Sequence, residues 1–197
     1  MTKFIKNFWS LNVDEALVAN WLKQNNTLGT DYEIFFPINA QLEYVDLIVF
    51  NKSNQKTVTI QVKSSQSYLV KDKGGDYWAS GHKFESKKID PKKVDFFIFT
   101  CYYPKTSEKD HKSRDITKHF VVFRTDELQE YVKKIKRKNN NKTQKIGFAF
   151  YIYSSDDKEE LYDDWELKEE YSRNNYDKLE PICDALDNFN KIKQDLK

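Results

Sequence analysis

The sequence predicts an α+β (mixed α/β) fold, and three observations carry that expectation. An amphipathic helix stands near the front, a group of strand-patterned segments fills the middle, and helical patterning returns toward the end. That order, helix, strands, helix, strand, helix, suits a central mixed sheet flanked by helices. The chain has 197 residues, 39% of them hydrophobic and 15% aromatic, enough to build one sizeable core at about 150 residues per domain. Five Gly and four Pro leave little room for linkers, so residues 1–197 read as a single domain. Its core spans about 12–123, and 124–197 form an elaboration.

The first helix is expected over Asn12–Gln24. Asn12 can cap it, Glu15 lies three residues on in a capping-box-like pair, and Val13, Leu17 and Trp21 form its apolar stripe. Glu43–Phe50 and Thr57–Lys63 read as two strands split by the turn-rich NKSNQK. Val94–Tyr103 is almost continuously apolar, as a central strand covered on both faces should be. His119–Phe123 and Ile146–Tyr153 are further strands. Thr125 is expected to cap a helix reaching about Lys138, with Leu128, Tyr131, Val132 and Ile135 facing the core. Pro181 opens a last helix whose stripe is Ile182, Leu186, Phe189, Ile192 and Leu196. That stripe suits either the core or a homodimer contact, and its spacing fits both.

Composition removes several classes of function. Lys+Arg 33 against Asp+Glu 31 leaves +2, which is no polycation. Cys101 and Cys183 make no disulfide framework, and no Cys/His cluster has zinc spacing, so a reducing cytoplasm is the expected compartment. MTKFIKNFWS has no apolar h-region, so no signal peptide is expected, and no apolar run approaches the ~18 residues of a membrane span. His82, His111 and His119 are scattered and read as surface or strand residues. Neither a phosphate-binding GxxxxGK[ST] loop nor GxGxxG occurs. Gln129–Lys145 is basic and Asp156–Glu170 acidic. Each reads first as a solvated face, and the acidic block could otherwise dock a basic partner or shield a nucleic-acid groove.

The informative constellation lies in the first two strands. Side chains alternate faces along a strand. A hairpin centred on NKSNQK sets Phe50 against Thr57, Val49 against Val58, Asp46 against Gln61 and Val45 against Val62. Asp46, Gln61 and Lys63 then share one face. An acid, a side-chain carbonyl and a lysine at one sheet edge suit phosphodiester chemistry. Asp46, the Gln61 amide oxygen and the Val62 backbone carbonyl are hard oxygen donors for Mg²⁺, and Lys63 could orient water and stabilise developing negative charge. The bland alternative is a solvated strand face on which Lys63 pairs loosely with Asp46.

This D-(x)n-(E/Q)-x-K arrangement behind a helix bearing a glutamate resembles the PD-(D/E)XK nuclease superfamily, which includes restriction endonucleases and Holliday-junction resolvases. The likeness covers about Asn12–Tyr103. Asp14–Leu22 is similar to the family's first helix, Lys93–Phe99 to the strand after the active-site strands, and Asp163–Leu167, less specifically, to a late segment of some resolvase-like members. The resemblance implies a restriction-endonuclease-like mixed sheet and a DNA endonuclease using Mg²⁺ or Mn²⁺. It implies Asp46 as metal ligand, Gln61 at the second acidic position, Lys63 as catalytic lysine, and Glu15 as a helix-borne acid helping to hold the metal or its waters. Val45 stands where the family has proline. Gln61 stands where it has Asp or Glu, which removes a unit charge beside a divalent ion. A catalytically inactive nuclease-like module that binds nucleic acid or protein is therefore the alternative.

Gly74–Gly81 reads as a glycine-bounded loop in which Tyr77 and Trp78 could lie against DNA, although Trp78 fits a strand packed in the core equally well. Lys83, Lys87, Lys88, Lys92 and Lys93 are candidate phosphate contacts.

Overall fold

A computed structural model describes residues 13–24, 30–37, 44–64, 67–72, 75–85, 88–104, 116–134, 145–155, 158–163 and 188–197. The fold is α+β. Among these residues are helices α1 (Val13–Gln24), α2 (Thr125–Lys134) and α3 (Asn190–Asp195). A five-stranded mixed sheet runs in the order β1 (Tyr32–Phe35), β2 (Leu47–Asn51), β3 (Thr57–Ser64), β6 (Phe96–Pro104), β7 (Ile116–Arg124). A second, antiparallel sheet of four strands runs β4 (Ser67–Asp72), β5 (Gly75–Glu85), β8 (Lys145–Ser155), β9 (Lys158–Asp163). No helix of the described residues is long and apolar enough to cross a membrane.

The expected hairpin register holds within the ladder: Phe50 pairs with Thr57 and Val49 with Val58. The physical reason is the apolar alternation. Val58, Ile60 and Val62 join Leu47 and Val49 in a core with Val18, Ala19 and Leu22 of α1. A one-residue slip would turn Val58, Ile60 and Val62 away from it. β6, the fourth of the five strands, runs parallel to β3 and antiparallel to β7. Phe96, Phe97, Ile98, Phe99 and Thr100 are all buried, as its continuous apolar run implied.

The two faces of the sheet have different covers. One carries α1 and α3, where Trp21, Phe120 and Phe189 pack ring on ring at 3.8–5.7 Å. On the other, Phe99 meets His82 of β5 at 4.9 Å and Phe150 of β8 at 5.4 Å, so the second sheet lies against the β6 side. Tyr131 of α2 stacks on Phe123 of β7 beside them.

Several expectations are corrected. The first strand starts at Leu47, not Glu43, because the chain bends at Asp46 (Glu43 itself lies outside the described residues). Thr125 does not cap α2 with its side chain. Its hydroxyl donates to the Val94 carbonyl at 2.7 Å, while Glu127 accepts the Arg124 N–H at 3.1 Å in the manner of a capping box. Gly74 lies outside the described residues, and Gly75–Gly81 is not a loop. From Gly75 onward it is β5, paired with β4 so that Tyr77 faces Val70 and Trp78 faces Leu69 in register. Within the acidic run, Lys158–Asp163 forms edge strand β9, where no strand was expected. The last helix begins at Asn190, and Phe189, Ile192 and Leu196 are buried in this chain's own core, so those three do not form a homodimer stripe. Asn12, Ile135, Pro181, Ile182, Leu186, Cys183 and His111 lie outside the described residues.

α3 is held by polar contacts as well as by its apolar side. Asn51, buried at the end of β2, donates its amide to the Leu196 carbonyl at 3.0 Å, and Asn54 of the following turn donates to the same carbonyl at 2.8 Å. Lys191 pairs with Glu127 at 2.8 Å, and Arg124 pairs with Asp195.

Candidate functional site

Asp46 sits at the bend just before β2. Its N–H donates to the Ile60 carbonyl at 2.8 Å, so the residue stays tethered to β3 although it has left the regular ladder. Its carboxylate then takes over the next rung. Oδ2 accepts the Val62 N–H at 2.8 Å, a bond that a main-chain carbonyl would accept in an uninterrupted strand pair. The expected Val45–Val62 rung is therefore replaced by a side chain. The same oxygen accepts Gln61 Nε2 at 2.7 Å.

Gln61 is 3% exposed, deeper than a polar group on a solvated face would be. Its Nε2 is committed to Asp46. Its Oε1 is buried and has no hydrogen-bond partner among the described residues. An uncompensated buried carbonyl costs about 1–3 kcal/mol. Asp46 is half-buried and accepts two N–H groups on one oxygen, and Oδ1 accepts none from the described residues.

Val62 contributes main chain to this corner and side chain to the core. The N–H and C=O of one strand residue leave the same edge, so the Val62 carbonyl is directed to the Asp46 side of β3. Lys63 is half-buried and, by alternation, projects from the face that carries Gln61. Glu15 is half-buried at the start of α1, on the stripe with Val18, Ala19 and Leu22 that faces the sheet. That helix covers the apolar face, not the face of Gln61 and Lys63. Its neighbour Asp14 accepts bonds from the Thr100 hydroxyl at 3.3 Å and from Tyr102 Oη, and burial together with the Asp14 carboxylate drives the Tyr102 phenol upward.

The structure thus brings Asp46, Gln61 and the Val62 main chain into contact and sets Lys63 on the same face. Among the described residues no group of three or more His, Cys, Asp or Glu side chains gathers in a metal-ligating cluster. Lys88, Lys92 and Lys93 lie before β6, around the turn at Pro91. Lys87 and the side chains of Lys83, Tyr77 and Trp78 lie outside the described residues.

Two features had no local signal in the sequence. Lys93 Nζ stands 4.2 Å from the centroid of the Tyr44 ring, although 49 residues separate the two. His82 is buried between the sheets, where desolvation lowers its pKa to about 3.

Compared with protein-family models, curated proteins and solved structures, the chain matches none of them.

Proposed function

We propose that the chain is a divalent-metal-dependent nuclease of the PD-(D/E)XK type, with Gln61 standing at the second acidic position. The single observation that carries this reading is Gln61: a carboxamide almost sealed in a sheet, bonded to the Asp46 carboxylate, with a carbonyl oxygen that nothing described satisfies. A strand with only a structural task would bury an apolar side chain there without that cost.

The donor set fits a hard cation. The Asp46 carboxylate, Gln61 Oε1 and the Val62 carbonyl are oxygen donors, and Mg²⁺ is held by one or two carboxylates with waters completing its shell. One carboxylate makes the site weak, so millimolar metal is the working range. When bound, Mg²⁺ or Mn²⁺ supplies neutralisation of phosphate charge and a more acidic water. The residues do the rest. The Val62 N–H fixes the Asp46 carboxylate, Gln61 Nε2 orients it, and Lys63 offers an ammonium to the oxygen on which negative charge develops. DNA is the substrate class that the arrangement suggests.

Incubation of plasmid and linear DNA with Mg²⁺ or Mn²⁺ tests this. Hydrolysis should stop in chelator and fall at least about 100-fold in Asp46→Ala and in Lys63→Ala, the order of loss expected when a charge-stabilising donor is removed. Equal activity in all three proteins would overturn the assignment.

One observation favours a second reading. The Gln61 amide already satisfies Asp46 Oδ2 without a cation, which suits an inactive nuclease-like module that binds nucleic acid. That module would bind DNA without cleaving it and give no calorimetric signal with millimolar Mg²⁺ or Mn²⁺.

A further inference from the structure

Tyr44 lies two residues before Asp46, so its Cα is within about 7 Å of the candidate metal ligand. It is half-buried, and the exposed Lys93 lays its ammonium over the ring at 4.2 Å. A lysine at an exposed position ordinarily samples many rotamers in water. This one is restrained at both ends. At its backbone, the Lys93 and Val94 N–H groups donate to the Asp90 carbonyl at 2.9 and 3.2 Å, and Lys92 N–H donates to Asp90 Oδ1 at 3.0 Å. Gln129 of α2 anchors the same turn through the Ile89 carbonyl at 2.7 Å. At its tip, the aromatic face holds the charge by cation–π attraction.

The nearest carboxylates in sequence are otherwise engaged. Asp95 Oδ2 accepts both the N–H and the hydroxyl of Thr59, at 2.8 and 2.7 Å. Among the described residues neither Lys92 nor Lys93 is ion-paired. A restrained cation with no carboxylate partner among the described residues, a short chain distance from a phosphodiester-type site, is arranged to receive an anion.

We propose that Lys93, positioned by Tyr44, is the contact for a backbone phosphate flanking the scissile one on a nucleic-acid strand. This rests on the nuclease reading for its location, but its own evidence is the cation–π pair and the pinned turn. Tyr44 is a positioning residue: it touches Lys93, not the nucleic acid. The ring fixes the ammonium before binding, so less side-chain freedom is lost when phosphate arrives.

The test measures binding of a short fluorescein-labelled DNA duplex in chelator, where no cleavage occurs, across a salt series. Lys93→Gln should reduce the slope of log K against log[salt] by about 0.9, the value of one phosphate contact, and Lys93→Arg should restore it. Tyr44→Leu should keep the wild-type slope and weaken binding about two- to fivefold, the worth of an exposed cation–π contact. In the Lys93→Gln background Tyr44→Leu should have no further effect. An unchanged slope in Lys93→Gln, a Tyr44→Leu loss that persists without the lysine, or no duplex binding by the wild-type chain would each overturn the proposal. The two readings separate cleanly. A slope change in Lys93→Gln with hydrolysis indifferent to Asp46→Ala leaves the phosphate contact standing and removes the nuclease. Asp46-dependent hydrolysis with an unmoved slope does the reverse.

Discussion

Replacing Gln61 by glutamate probes the geometry of the site and its chemistry in one variant. The Gln61 amide nitrogen is 2.7 Å from Asp46 Oδ2, so Gln61→Glu sets two carboxylates at hydrogen-bond distance. Two unit charges at 2.7 Å repel by about 6 kcal/mol at an effective dielectric of ~20. The protein has a cheaper escape, which is to protonate one carboxyl so that it donates to the other. Moving a glutamic acid of ordinary pKa ~4.3 to its neutral form at pH 7 costs about 4 kcal/mol. The smaller figure decides, and the variant should lose at most about 4 kcal/mol at pH 7 in chelator.

The sign follows from linkage. The introduced carboxyl has a folded-state pKa raised above its unfolded value, so the penalty is absent below about pH 4.3 and grows by about 1.4 kcal/mol per unit above it. The difference between wild type and variant should therefore shrink as pH falls from 7 toward 4.5. Divalent metal should relieve the same penalty: free Mg²⁺ at about 100 times its Kd adds about 2.7 kcal/mol. Urea unfolding of both proteins, with chelator and with Mg²⁺, at several pH values, reads all of this. Equal stability of the two proteins at pH 7 in chelator would refute the Asp46–Gln61 contact. A penalty that appears but does not respond to Mg²⁺ or Mn²⁺ would keep the contact and refute the metal.

Other perturbations test the frame around the site. His82, whose pKa burial lowers to about 3, should cost stability as pH falls from about 6.5 toward 3, because the unfolded chain takes up a proton that the fold refuses. The slope contributed is at most about 1.4 kcal/mol per pH unit, and His82→Phe should flatten it in pH-dependent urea melts. Asn51→Ala removes one of the side-chain amides on the Leu196 carbonyl and should cost about 1–2 kcal/mol, read as a lower denaturation midpoint at unchanged m-value. Gln55 holds a φ of 61° in the β2–β3 turn, where a side chain is penalised, so Gln55→Gly should raise stability by about 0.5–1 kcal/mol, read as a higher denaturation midpoint.

Legibility followed the range of the signal. Strand β6 was readable because a run such as Phe96–Phe99 has no polar position to expose, and the β2–β3 register because Val49 and Val58 must share a face. Glycines misled at Gly74–Gly81, where Gly75 opens β5 and Gly81 lies inside it, and the pattern around them is too polar to announce a strand. The four-residue β1 is too short to show a period, and β9 reads as a charge run because its partner strand supplies the pairing. At the site, Asp46 and Gln61 were placed together by the hairpin register and the alternation of faces. The bend at Asp46 was not, because it depends on the carboxylate taking a main-chain rung at Val62. Tyr44 over Lys93 had no signal at all, since a contact across 49 residues needs the finished sheet to bring the Pro91 turn beside β2.

The second face of the sheet changes from aromatic to polar between β6 and β3. Over β6 and β7 that face is closed by the second sheet and α2, and it is lined by Phe97, Phe99 and Phe123. One strand over, β3 presents Thr59, Gln61 and Lys63 to the same side. Thr59 is settled by Asp95, with both its N–H and its hydroxyl bonded. Gln61 is only half settled, with one end on Asp46 and the other on nothing described. A leucine there would extend the aromatic surface and remove a cost of about 1–3 kcal/mol. The same amide donates a charge-assisted hydrogen bond to Asp46, worth about 1.5–3 kcal/mol, which offsets the cost of its unpaired oxygen, so the sheet gains little from it over an apolar residue. Substituting Gln61→Leu separates the cases. It should change stability in chelator by no more than about 1–2 kcal/mol, the two effects opposing each other, while abolishing any metal response, and a metal response that survives the substitution would remove Gln61 from the site.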